Sequence, residues 1–159
     1  MSAAEIHLAL NHVPALGIII GAALLTYGFW RREEGVQTAS LGLLAVAGLV
    51  AIPVYLSGEP AEEIVEGLAG VSHDAIEAHE TWAQYALISA LLTAFGGLGA
   101  LLARARDADL FGRIARGTLV LSLIASLLMI YTANLGGKVH HQELRGETAT
   151  VEVEDSHEE

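Results

Sequence analysis

Residues Trp82 to Leu102 read WAQYALISALLTAFGGLGALL, an unbroken apolar run with no Asp, Glu, Lys, Arg or His. Roughly 20 such residues at about 1.5 Å each cross the 30 Å or so of hydrocarbon in a bilayer. A soluble helix would instead alternate an apolar stripe with a polar face. Three further blocks have the same character: Val13 to Trp30, Thr38 to Leu56, and Thr118 to Leu135. In a chain of 159 residues, four such blocks leave too little polar sequence to enclose them in water. Apolar residues make up 53% of the chain, above the roughly 45 to 50% of soluble domains. The sequence therefore predicts an all-α integral membrane protein, an up-and-down four-helix bundle.

Charge sets the expected topology. Arg31 and Arg32 lie in the first connection, and Arg104, Arg106, Arg113 and Arg116 in the third, whereas Lys138 and Arg145 lie on the opposite side. By the positive-inside rule the first and third connections face the cytoplasm, so both termini face outward, toward the periplasm of a bacterial inner membrane. The first block lacks a basic leader, and the Arg31 to Glu34 cluster reads as a short loop, so the block is expected to be a mature helix. A net charge of −11, much of it on the outward side, argues against nucleic acid as a partner. The same charge would suit a basic periplasmic electron carrier. With no cysteine, disulfides, thiolate metal sites and covalently attached haem are excluded.

Within this frame, residues 1–146 form the transmembrane domain and the acidic 147–159 reads as a disordered tail that includes His157. Asn11 is placed to cap the first span and Ser72 the third. Pro53, Ser57, Gly58 and Pro60 close the second span. Ile64, Val65 and Leu68 against Glu62, Glu63 and Glu66 predict a short interfacial helix near 61–69. The fourth span is expected to end at Asn134, Gly136 and Gly137. Tyr27, Trp30, Tyr55, Trp82 and Tyr131 fall at membrane borders, as belt residues do. Small residues at Gly17, Gly21 and Gly28, and at Gly42, Ala45, Gly48 and Ala51, mark faces where backbones approach closely.

The strongest functional signal is histidine placement. His7, His12, His73, His79, His140 and His141 all map to the outward side. His12 and His79 lie nearest the hydrocarbon edge, where a polar ring needs a partner. Opposed imidazoles can clamp haem iron, so haem b held by His12, His79 and one or both of His140 and His141 is one reading, with His73 and His7 in a second site. Lys138 and Arg145 would then meet the propionates. The same rings with Glu77, Glu80 or Glu143 would suit zinc, copper or non-haem iron. A third reading is a cofactor-free structural subunit of a membrane complex. No catalytic residue is assigned: there is no His-Glu-x-x-His spacing and no nucleophile elbow.

The motifs His12-Val13-Pro14, His79-Glu80 and Gly136-Gly137-Lys138-Val139 followed by His140-His141 resemble those of a set of uncharacterised small bacterial four-helix membrane proteins. In architecture the chain is also similar to four-helix membrane cytochromes b. Those cytochromes place haems so that electrons cross the membrane, with ligands at both depths, whereas this chain has no inner histidine. The resemblance then implies that a b-type haem on a bis-histidine site here would serve outward-facing electron exchange, quinol chemistry or redox sensing, alone, as a homo-oligomer or within a larger complex.

Overall fold

The computed structural model describes residues 2–68 and 70–141, apart from the side chains of residues 3 and 140. Six helices follow one another: α1 (Ala3–Leu10), α2 (His12–Arg31), α3 (Glu34–Leu56), α4 (Gly58–Val65), α5 (His73–Arg104) and α6 (Ala108–His140). Four of them are long and apolar enough to cross a membrane. Their large side chains face outward: Leu16, Ile20, Val46, Ile88, Leu92, Phe95, Val120, Leu123 and Leu127 are all exposed. Lipid is as good a solvent for these groups as a protein core, so the usual inside-out sorting by polarity is absent.

The four long helices form a ring in which α2 packs on α3, α3 on α5, and α5 on α6, while α6 meets α2 more sparsely. Alanine, glycine, serine and threonine fill the interior, around the fully buried Ile18, Leu25, Leu41 and Leu44. A Cβ built on Gly97 would stand 2.7 Å from the Leu41 carbonyl, and one on Gly48 would strike the Ala90 backbone. Only glycine permits α3 and α5 to lie so close, which is how a bundle without a hydrophobic drive in lipid gains contact. Buried hydroxyls return to carbonyls of their own helices, Thr93 to Ser89, Thr118 to Ile114 and Ser126 to Ser122. None of these competes for water that a bilayer does not supply.

The connections at the arginine end are tight. Arg32 adopts a left-handed conformation (φ 59°) and its N–H closes α2 on Gly28 and Phe29. Arg104 reaches across to Glu34, both to its carbonyl (3.2 Å) and to its carboxylate (3.5 Å). Asp107 caps α6 by accepting from the Leu110 N–H at 2.9 Å.

At the opposite end several boundaries differ from expectation. The short helix after the second long one is α4, beginning at Gly58 with one residue between it and α3, and stopping at Val65. Ser72 caps α5 as expected, accepting from the Ala75 N–H. Asn11 does not cap α2: its backbone is helical (φ −60°, ψ −26°), so α1 runs nearly straight into α2 and the extended conformation of a side-chain cap is missing. The cap lies earlier, where Ser2 and Glu5 form a reciprocal capping box on α1. Helix α6 continues through Gly136 and Gly137 to His140. The Ser72 N–H donates to Val139 near its end, and the His79 ring lies against Gly136, so tertiary contacts offset the glycines' weak helix preference. The expected acidic tail, with Glu143, Arg145 and His157, lies outside the described residues.

Candidate functional site

Helices α1 and α4 lie against each other at the histidine end of the ring. Residues of both line a cavity of about 1120 Å³. Its walls are apolar, from Pro14 and Ala15 on α2, Ala51 and Val54 on α3, Ala83 and Leu87 on α5, and Met129 and Ala133 on α6. At the interfacial end the lining turns polar, with His7, Asn11, His12, Glu59, Glu62, Glu63, Glu66, His79, Glu80 and His141. The mixed lining, mostly apolar with polar groups at one end, has the usual form of a small-molecule site.

The cavity exists because the helix seams open where small residues face one another without interlocking. Ala15, Ala51, Ala83 and Ala133 bring no bulk to this level of the ring. A Cβ on Gly58 would meet only the His7 ring, at 3.8 Å. The α1–α4 pair is held by that same ring: His7 Nδ1 lies 3.0 Å from Ser57 Oγ and 3.1 Å from the Val54 carbonyl.

The remaining histidines are distributed rather than convergent. His79 is half-buried and its Nδ1–H donates to the Thr132 carbonyl at 3.0 Å, tying α5 to α6. His12 is exposed and turns back to the Leu8 carbonyl, 3.2 Å away. His73 sits outside the cavity lining, between Glu66 (3.4 Å) and Glu77 (3.5 Å) on the surface. His141 lies beyond the end of α6 in extended backbone. His73, Glu77 and Glu80 share one face of the continuous helix α5, and Glu80 lies beside Glu62 of α4.

This arrangement corrects the cofactor expectation. Among the described residues, no group of three or more His, Asp or Glu converges as a metal site requires. His7, His12 and His79 each engage a different carbonyl on a different element, and His73 is drawn to surface carboxylates. Haem b, the zinc, copper and non-haem iron alternatives, and the electron-transfer role built on them are all overturned, as is the likeness to cytochromes b. The sequence placed the histidines at one end, but a shared end is wider than a coordination sphere.

Two polar atoms that sequence reasoning passed over stand out. Thr132 is 8% exposed and lines the cavity, yet its Oγ1 has no partner in the protein. Thr26, Thr38, Thr93 and Thr118, by contrast, each bond one turn back. Asn11 Oδ1 is likewise buried without a partner at the α1–α2 junction, and it lines the same space. A buried polar atom left unpaired costs about 1–3 kcal/mol, so such atoms need an explanation. No protein-family model, curated protein or solved structure matches the chain.

Proposed function

We propose that this protein is a cofactor-free membrane binding module, which receives the head and upper chain of one amphipathic molecule in the cavity that residues of α1 and α4 help to line. The observation that carries this reading is the joining of apolar walls to the unpartnered oxygens of Thr132 and Asn11 in one space. A tail enters where Ala15, Ala83, Met129 and Ala133 offer hydrocarbon contact, and the sparse α2–α6 seam gives it a lateral path from the bilayer. The arginine distribution supports placing this end at the periplasmic face of a bacterial cytoplasmic membrane.

The test is native mass spectrometry of protein extracted from its own membrane in a mild detergent. One retained amphiphile per chain is expected, and Ala83→Phe, which fills the cavity, is expected to abolish it while leaving the bundle folded. Equal retention by A83F, or none by either protein, overturns the reading.

A second reading, a cofactor-free interaction subunit of a membrane complex, is favoured by the exposed carboxylates of α4 and the start of α5, including Glu59, Glu63, Glu66, Asp74 and Glu77. They form an acidic surface suited to a basic partner domain. Salt-sensitive co-purification of such a partner with A83F as readily as with the unaltered chain would select it.

A further inference from the structure

We propose that the molecule this cavity takes is a cationic amphiphile, with an ammonium head that donates hydrogen bonds and a hydrocarbon tail. The inference rests on the binding-module reading above and adds the sign of charge and the hydrogen-bonding character of the head.

The first support is electrostatic. Five glutamates, Glu59, Glu62, Glu63, Glu66 and Glu80, line the cavity, and among its described lining residues there is no lysine or arginine. A phosphate or carboxylate head would meet like charge from all five. Glu62 of α4 and Glu80 of α5 lie side by side, where ionising both is disfavoured. An ammonium group between them would offset that repulsion and give each carboxylate a charged hydrogen-bond donor. His73 is already held by Glu66 and Glu77.

The second support is independent of charge and comes from acceptor count. With Nδ1–H of His79 donated to the Thr132 carbonyl, the neutral ring presents its Nε2 lone pair as an acceptor. Asn11 Oδ1 is an acceptor only, and Thr132 Oγ1, more than nine-tenths buried, accepts as well. All three residues line the same cavity. A primary or secondary ammonium brings two or three N–H donors to such a set, whereas a quaternary ammonium brings none and a carboxylate adds further acceptors. The apolar lower wall of Ala83, Leu87, Met129 and Ala133 then takes the tail. The chemistry described is that of a long-chain amine or an amine-headed lipid.

The experiment compares four probes of equal tail length on the full chain in a maltoside detergent at neutral pH: dodecylammonium, dodecyltrimethylammonium, 1-dodecanol and dodecanoate. Affinity is read from the shift in thermal midpoint across a titration. Dodecylammonium is expected to bind most tightly and dodecanoate least, with the trimethyl compound weaker than the primary amine because it cannot donate. The double variant E62Q/E80Q should lose at least about fivefold in dodecylammonium affinity, the scale of a partly solvated ion pair. Dodecanol binding should be kept, and the charge-matched D74N/E77Q, altered outside the cavity, should behave like the unaltered chain.

Equal binding of dodecanol and dodecylammonium, or equal losses in both double variants, overturns the cationic assignment and leaves the cavity as a binding site. Preference for dodecanoate overturns it more directly. Failure of all four probes to bind, with A83F indistinguishable from the unaltered chain, overturns the binding-module reading itself. Should E62Q/E80Q fail to fold, the single variant E80Q and the order of the four probes on the unaltered chain decide the matter.

Discussion

The two ends of this bundle are built from the same small residues and use them in opposite ways. Toward the arginine end, Gly96 and Gly97 lie against Thr118 and Leu41. Toward the histidine end, alanines of four helices line the cavity. Small residues therefore do not by themselves pack a membrane bundle. They permit close approach, and whether the helices take it depends on what else holds them. At the arginine end Arg104 and the short α2–α3 connection pull the helices together. At the histidine end α1 packs on α4, and the His7 and His79 rings are held by backbone carbonyls.

The sharpest way to break this comparison is a matched pair of enlargements. Gly97→Leu at the closed level should cost about 3 kcal/mol or more, because its neighbour is backbone that cannot step aside. Ala83→Leu at the open level should move stability by no more than about 0.5 kcal/mol. Steric-trap or mixed-micelle unfolding of the two variants measures both, and a comparable loss in A83L would mean the cavity is not open space.

A smaller effect separates the pinned histidines. His79→Ala removes the tie between α5 and α6 and leaves a gap against Gly136, at a cost of about 1–3 kcal/mol. His12→Ala removes an exposed ring bonded to its own helix and should change stability by less than about 0.5 kcal/mol. Equal losses from the two would return His12 to the interior role that its position in the sequence suggested.

The smallest contrast concerns hydroxyls. Thr93→Val breaks a buried bond to Ser89 and should cost about 1 kcal/mol. Thr132→Val removes an oxygen without a protein partner and should leave the protein as stable or slightly more so in the absence of bound amphiphile. The same unfolding assay reads both, and a loss in T132V equal to that in T93V would show that Thr132 is satisfied after all.

The sequence alone determined the four spans, because 18 or more apolar residues in a row have no other stable home and need no knowledge of neighbours. The Ser72 cap was legible too, as a small hydroxyl residue just ahead of a helix. The amphipathic piece after the second span was legible from its glutamates, although α4 starts earlier, at Gly58. Even the cavity wall left a trace in the spacing of Met129, Thr132, Ala133 and Gly136, one face of α6 with a lone hydroxyl in it.

What only the tertiary structure decided is which polar group meets which. A metal or haem site requires its ligands to converge on one ion within a few ångströms, whereas a topology argument places them only to within the width of a bundle. Near the membrane interface each imidazole takes the nearest carbonyl: Val54 for His7, Leu8 for His12, Thr132 for His79. Those partners lie on the chain's own backbone, whose acceptors carry no mark in the sequence. The pairing of Glu62 with Glu80 and the unpartnered oxygens of Asn11 and Thr132 arise in the same way, from how α1, α4, α5 and α6 come together rather than from any residue's identity.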